Sequence, residues 1–463
     1  MSRVTDRAGA GARTDRLPLL VALQVGLLFT GQGLLSLLLL GVMNRLMLDT
    51  QLLAIPATIA TTCLSLRFFV AVTRVYLGQL TDTRQFLGQQ RSGYIRVALP
   101  LACGFLWLAL QVTWQLGATQ SLAWAVLLGV VLAFYGVCLF MVAVAGLALV
   151  YDIAPENDRS RVMGIVWAMM LVGFVAGSLA GKKLLEGVDV SNLQPAIDRY
   201  FLQMIATVLA LGYVGVLAVE RRFSLHAMRA GGQSSQHVGL VAAVRLFLSD
   251  RKNTQFFVFL FLVTLGVFMQ QPVLEPYGGE VFAMSIGDTT LLNMIWGIAT
   301  LVALVATGFT LAPRLGPWAT TRLGLSICAI GFVCIFAAGL SGEGGVLYFQ
   351  AAVFIMGLGG GIALNSMLGL MLGLAPPAHA GLYMGTFGLS QYLAQGISLV
   401  ASGVLLDAGR RGFGSAHVAF GVVFLLEALI LFACVLLLHV IERNSPSVTG
   451  TGATVTDMIE AAD

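Results

Sequence analysis

Long apolar runs, each closed by a cluster of charged or turn-forming residues, follow one another along this chain from residue 17 to residue 441. A membrane-crossing helix needs about 20 apolar residues. Twelve runs reach that scale: 17–42, 52–80, 94–116, 121–151, 161–184, 200–219, 254–282, 288–312, 318–340, 345–374, 380–406 and 415–441. Backbone groups in lipid must be satisfied within the segment, so each run is predicted to be a helix. The polar stretches then divide the chain into an N-terminal segment 1–16, a six-helix bundle 17–219, a linker 220–253, a second six-helix bundle 254–441 and a tail 442–463. Within the linker, Val238–Leu248 fits a short amphipathic helix on the membrane surface. The tail is rich in Ser, Thr, Gly and Ala and is predicted to be disordered.

Composition sharpens this picture. Of 463 residues, 58% are apolar and only 10% charged, against about 25% charged in a soluble domain. Lipid must be the main solvent. The net charge of +4 is small and gives no footprint for nucleic acid. Its distribution says more. With a cytoplasmic N-terminus, 18 Lys and Arg fall in cytoplasmic segments and six on the opposite side, so both termini are expected in the cytoplasm. The first run is too long for a signal-peptide core of roughly 7–15 residues and is expected to be retained as a helix. The six cysteines (63, 103, 138, 328, 334 and 434) all lie in apolar runs without a CxxC pair, which points to buried thiols. There is no GxxxxGK[ST] loop, no Ser/His/Asp set and no metal-ligand cluster. Neither an enzyme nor an ATP-driven pump is expected, and no catalytic or metal residue is assigned.

Internal repetition sets the architecture. Ala154-Pro155 followed by Met163-Gly164 recurs as Ala375-Pro376 followed by Met384-Gly385, an offset of 221 residues. Gly78–Arg84 recurs weakly as Gly308–Arg314, offset by 230. Matches on equivalent loops of two halves fit parallel repeats about an axis along the membrane normal. Gly78–Arg84 resembles the signature between helices 2 and 3 of the major facilitator superfamily. That resemblance implies an all-α membrane protein of twelve transmembrane helices in two pseudo-symmetric bundles. It also implies a gating loop in which Gly78, Asp82 and Arg84 act with Arg74. The second copy has Ala312 at the Asp position.

Several residues stand out against the apolar background. Arg67 and Arg74, seven apart, share one face of the second helix. Arginine at mid-membrane is costly, so Arg67 is expected to be paired with a carboxylate, with carbonyls at a helix break or with a ligand. Glu275 is the favoured acid. Arg74 is expected near the cytoplasmic end. The string Gln270-Gln271-Pro272-Val273-Leu274-Glu275-Pro276-Tyr277-Gly278-Gly279-Glu280 interrupts the seventh run, and broken helices tend to frame sites. Glycines 173, 177 and 181, and 357 to 361 with one gap, read as close helix-packing stripes. Glu427 is the main intramembrane acid, and no histidine lies at mid-membrane.

Four segments resemble one branch of the superfamily, the PucC/LhaA family of (bacterio)chlorophyll delivery and light-harvesting assembly proteins. They are Gly41–Met47 with Asn44-Arg45, Arg74–Arg84 with Gly88, Arg91 and Tyr94, Asp152–Glu156 with Arg159, Arg161 and Trp167, and Leu274–Val281. The chain departs from the family at Gln89-Gln90, at Gly93 and at Asp49. The resemblance implies a membrane assembly factor that binds and delivers chlorophyll or bacteriochlorophyll, as cargo and not as a covalent cofactor. The expected partners are light-harvesting or photosystem polypeptides, chlorophyll synthase and membrane lipid. The expected place is the inner, intracytoplasmic or thylakoid membrane of a photosynthetic bacterium. Candidate ligand or partner residues are Asn44, Arg45, Arg67, Glu275, Tyr277, Glu280 and Asn365. Candidate gating or structural residues are Arg74, Gly78, Asp82, Arg84, Asp152, Arg159 and Arg161. A facilitator for a small amphipathic solute and a scaffold that moves nothing remain as alternatives.

Overall fold

A computed structural model describes residues 17–155, 158–188, 192–221, 251–374 and 380–444. The N-terminal segment, most of the linker with Val238–Leu248, the Ala375-Pro376 repeat and nearly all of the tail lie outside them. The helices, in chain order, are α1 (Leu19–Leu48), α2 (Ala57–Phe69 and Thr73–Thr83, joined by a 3-10 turn), α3 (Ser92–Thr119), α4 (Leu122–Ile153), α5 (Arg159–Leu184) and α6 (Leu193–Val216). They continue with α7 (Arg251–Phe268 and Leu274–Phe282), α8 (Ile286–Ala306), α9 (Ala312–Gly339), α10 (Val346–Leu374), α11 (Ala380–Gly412) and α12 (Ala416–Asn444).

Among the described residues, nine helices are long and apolar enough to cross a membrane unbroken. One of them, the 54-residue run Ile286–Gly339, would be about 80 Å long if straight, far more than one bilayer. It kinks at Gly316, in the first residues of the α9 range, whose φ of 76° lies in the left-handed region, with Pro317 following, so the second crossing starts there. That run is therefore α8 and α9. The remaining two crossings, α2 and α7, are each interrupted. The fold is an all-α membrane protein of the major facilitator type.

The packing repeats itself at six-helix intervals. α1 packs on α5 and α6, as α7 packs on α11 and α12. α4 packs on α2 and α3, as α10 packs on α8 and α9. The halves meet symmetrically, α2 against α11 and α8 against α5. A contact invisible to motif searching follows the same repeat. Glu220, at the end of the first half, accepts the backbone N–H groups of Gln90, Arg91 (3.1 Å) and Ser92 (2.7 Å) at the start of α3. Glu442, 222 residues on, accepts from Arg322 near the start of α9.

The glycine stripes act as predicted. A Cβ on Gly173 would stand 2.2 Å from the Thr30 carbonyl oxygen of α1, and one on Gly359 2.2 Å from the Cys328 nitrogen of α9. Only a missing side chain lets these backbones approach so closely.

Candidate functional site

Two local irregularities build the site. Near the end of α1, Leu38–Met43 forms a π-helical turn, which advances the following side chains relative to a regular α-helix and is frequent at functional positions. In α7, Pro272 supplies no N–H and the helix stops, restarting at Leu274. The two irregular segments face each other. Asn44 Nδ2 donates to the Pro272 carbonyl oxygen at 2.7 Å. A Cβ on Gly41 would lie 2.6 Å from Glu275 Oε1.

Arg45 carries this contact further across the halves. Its Nη1 donates to the Ser285 carbonyl oxygen at 2.6 Å and to the Thr289 hydroxyl, and its Nη2 to the Met284 carbonyl oxygen at 2.7 Å. Nε lies 3.4 Å from Asp49. Arg45 is only 4% exposed, so these partners are what keeps a buried guanidinium tolerable. Around it, Glu280 accepts from Arg410 and from the Thr50 N–H (3.1 Å), and Arg410 also donates to the Leu48 carbonyl oxygen at 3.1 Å. Asp407 of α11 caps α2 by accepting from Ala57 (3.0 Å) and Thr58 (2.8 Å). Thr290 of α8 donates to the Ser178 carbonyl oxygen of α5 at 3.1 Å. These bonds cluster at one end of the interface and hold the halves together there.

Beneath that clasp lies a pocket lined by Leu40 of α1, Phe174 of α5, Gln270, Gln271, Leu274 and Glu275 of α7, and Asn293 and Trp296 of α8. Phe174 and Trp296 form one wall, their ring centroids 5.9 Å apart. Asn293 donates to Glu275 Oε1. Glu275 is 2% exposed, yet its Oε2 has no hydrogen-bond partner among the described residues, and neither has Gln271 Oε1 or Asn44 Oδ1. Buried acceptors normally find donors. The two orphaned oxygens that line the pocket, on Gln271 and Glu275, suit a ligand that brings donors or a hard cation.

The seven ligand or partner candidates do not share one place. Asn44, Arg45, Glu275 and Glu280 come together as grouped. Tyr277 turns away: it packs within the C-terminal half among Phe282, Phe349, Phe420 and Phe424, and its hydroxyl bonds the Ile335 carbonyl oxygen at 3.3 Å. Asn365, on α10, is half-buried and is not among the pocket's lining residues. The expected Arg67–Glu275 pair does not form. The π-turn hands Glu275 to α1 and α8, whereas Arg67 stacks over the Phe68 ring, 4.3 Å from its centroid. Asn293 was missed, because one Asn in an apolar run carries no sequence signal without its partner.

At the opposite end, the gating loop is built differently from expectation. Asp82 pairs with Arg91 at 2.6 Å, and Arg84 is exposed. Arg91 is the hub: it also reaches Asp152 at 3.0 Å and the Thr81 hydroxyl at 2.8 Å. The turn Phe86–Gln89 brings Arg91 back over α2, which spacing from Asp82 alone could not reveal. Gly78 packs near Val144 of α4. Arg161 pairs with Asp158 at 3.1 Å, Asp158 accepts the Leu17 N–H at 2.9 Å, and Arg159 sits 3.7 Å from the Tyr151 ring centroid. Arg74 lies over the rings of Tyr392 and Phe140.

Known proteins agree with this architecture. The structure superimposes on that of the nucleoside transporter NupG with a TM-score of 0.68 at 14% identity, covering 91% of this chain and 99% of that one. By sequence the chain is 28% identical to Protein PucC of Rhodobacter capsulatus over 92% of this chain and 93% of that protein. It is 27% identical to the Bacteriochlorophyll synthase 44.5 kDa chain of Rhodobacter capsulatus over 84% of this chain and 87% of that protein. The family model described as PUCC protein matches residues 42–445, nearly the whole length, and the chain belongs to that family.

Proposed function

We propose that this chain is a non-enzymatic membrane assembly factor that binds chlorophyll-type pigment and delivers it to light-harvesting or photosystem polypeptides, in contact with the pigment's synthase. The observation that carries it is the match to the PUCC protein family over residues 42–445, joined to the placement of the segment Leu274–Glu280 at the meeting of the halves. A relative carrying the name of a bacteriochlorophyll synthase chain supports the connection to pigment synthesis. The chemistry is compatible. Pigment magnesium is a hard ion that accepts oxygen ligands, and Glu275 Oε2 and Gln271 Oε1 are unengaged acceptors beside aromatic walls. Deleting the protein from a photosynthetic host tests this. Loss of assembled antenna with free pigment accumulating is the expected result. Normal pigment–protein assembly in the deletion strain would refute it.

A second function is carried by the pocket itself: facilitated movement of a small solute with hydrogen-bond donors. The pocket lies between two halves that rock in the major facilitator fold. Uptake of a water-soluble solute into proteoliposomes, by protein free of pigment, would favour this over delivery.

A further inference from the structure

The interface between α2, α4 and α11 holds two arginines whose positive charges meet aromatic rings. Arg67 is 6% exposed, and its Nε is buried without a hydrogen bond among the described residues. Its guanidinium lies 4.3 Å from the centroid of Phe68. Arg67 forms no ion pair with a carboxylate among the described residues. Tyr135 is fully buried, and its hydroxyl also has no partner among the described residues. One face further along α2, past the 3-10 turn Val70–Val72, Arg74 lies 4.7 Å from the Tyr392 centroid and 5.4 Å from that of Phe140. Arg74 likewise forms no ion pair among the described residues. Cation–π contact is worth about 0.5–2 kcal/mol, far below the several kcal/mol that burial of an ion costs.

We infer that Arg67 and Arg74, with the Tyr135 hydroxyl and the rings of Phe68, Phe140 and Tyr392, form a binding site for an amphiphile with an anionic head, phosphate or carboxylate, and an apolar body. Arg67 Nε–H and the Tyr135 phenol are donors without an acceptor among the described residues, and Arg74 adds a second positive charge beside them, so an acceptor that is itself charged suits the place. The rings offer the flat apolar surface on which the body of such a molecule rests. The site is distinct from the pocket at Glu275: that pocket presents acceptor oxygens, this one presents donors. It is shared between halves, because α2 and α4 supply the cations and Tyr135, and α11 supplies Tyr392. A molecule bound here would therefore bridge the two halves, at a place where their contact is made by rings. The inference stands on these residues and does not depend on the pigment-delivery proposal.

Binding to the full-length protein in a neutral detergent, read by native mass spectrometry and by thermal shift, tests it with three probes: dodecyl phosphate, inorganic phosphate and dodecanol. Dodecyl phosphate is expected to bind and stabilise, with inorganic phosphate and dodecanol each weaker by about tenfold or more. Arg74→Gln, at a half-buried position, is expected to weaken dodecyl phosphate binding by about tenfold, and Arg67→Gln by at least as much. If Arg67→Gln does not fold, Arg74→Gln alone decides. Equal binding of dodecanol and dodecyl phosphate, or Arg74→Gln binding dodecyl phosphate like the unaltered protein, would overturn the inference. Two competitors identify the source of the anion. Displacement by phosphatidylglycerol supports a lipid head group, and displacement by a chlorophyll-type pigment acid, but not by its phytyl ester, supports a pigment precursor. Displacement by neither would count against the site.

Discussion

Arg45 of α1 donates from Nη2 to the carbonyl oxygen of Met284, 2.7 Å away on the other half of the molecule. The acceptors at Met284 and Ser285 stand just before α8, and Thr289 lies in its first turn. One side chain thus fastens the end of α1 to the start of α8. Removing it takes the donor from the buried Met284 carbonyl, the buried Thr289 hydroxyl and Asp49 Oδ2, although Asp49 Oδ1 keeps the Gln51 N–H, a loss on the order of 3 kcal/mol.

Arg45→Gln is therefore expected to loosen the halves at this end. Spin labels at the exposed positions Gln51 and Arg411 report the separation. A single short distance is expected in the unaltered protein, with a second, longer population in the variant. Identical distributions would show that the clasp does not depend on Arg45.

The gating loop gives a sharp contrast between two arginines. Arg91 holds Asp82, Asp152 and Thr81, whereas Arg84 is exposed. Asp82 itself is largely exposed, which weakens its share. Arg91→Gln is expected to lower stability by about 2–3 kcal/mol, and Arg84→Gln by less than about 0.5 kcal/mol. Thermal unfolding in detergent ranks them. The opposite ranking would restore Arg84 as the gate residue.

Gly173→Ala and Gly164→Ala differ only in what the new methyl group meets. At Gly173 it would strike the Thr30 backbone oxygen, and at Gly164 nothing lies within 4 Å. Gly173→Ala is expected to destabilise by about 1–3 kcal/mol, and Gly164→Ala to be neutral or stabilising by up to about 1 kcal/mol. Equal monodispersity and unfolding temperature in size-exclusion and thermal assays would mean that α1 and α5 pack less tightly.

Glu427 of α12 is fully buried and has no cation paired with it among the described residues; the backbone N–H of Gln270 is the donor near it. Glu427→Gln keeps the shape and removes the capacity for charge. An unpaired buried charge is costly, so this variant is expected to match or exceed the unaltered protein in stability. A marked loss of stability would indicate a partner that depends on the carboxylate.

Helix positions and the twofold repeat were legible in the sequence because lipid forces each crossing to be long, apolar and internally bonded. The positions of α3, α4 and α5 follow directly from their runs. The start of α6 came out late, since Asp198 looks like a loop residue until it is seen to accept from Trp114 Nε1 at 3.1 Å. Glu275 was recognisable as a site residue from the broken helix around it. Its partner Asn293 was not, because a single Asn in the apolar run of α8 gives no sign of what faces it. The Arg91 hub was hidden for a similar reason: a tight turn carries it back over α2. Tyr277 lies in the same string but faces the C-terminal half, where its hydroxyl meets the Ile335 carbonyl and His417 Nδ1, a direction the string alone does not give.

The absorption spectrum of the protein purified from a photosynthetic host in mild detergent tests the central claim most directly. Chlorophyll-type bands, in the blue and in the red to near infrared, are expected to co-elute with the unaltered protein and to fall sharply in Glu275→Ala. A protein that elutes colourless from a host rich in pigment, with no antenna polypeptide or synthase beside it, would contradict pigment delivery.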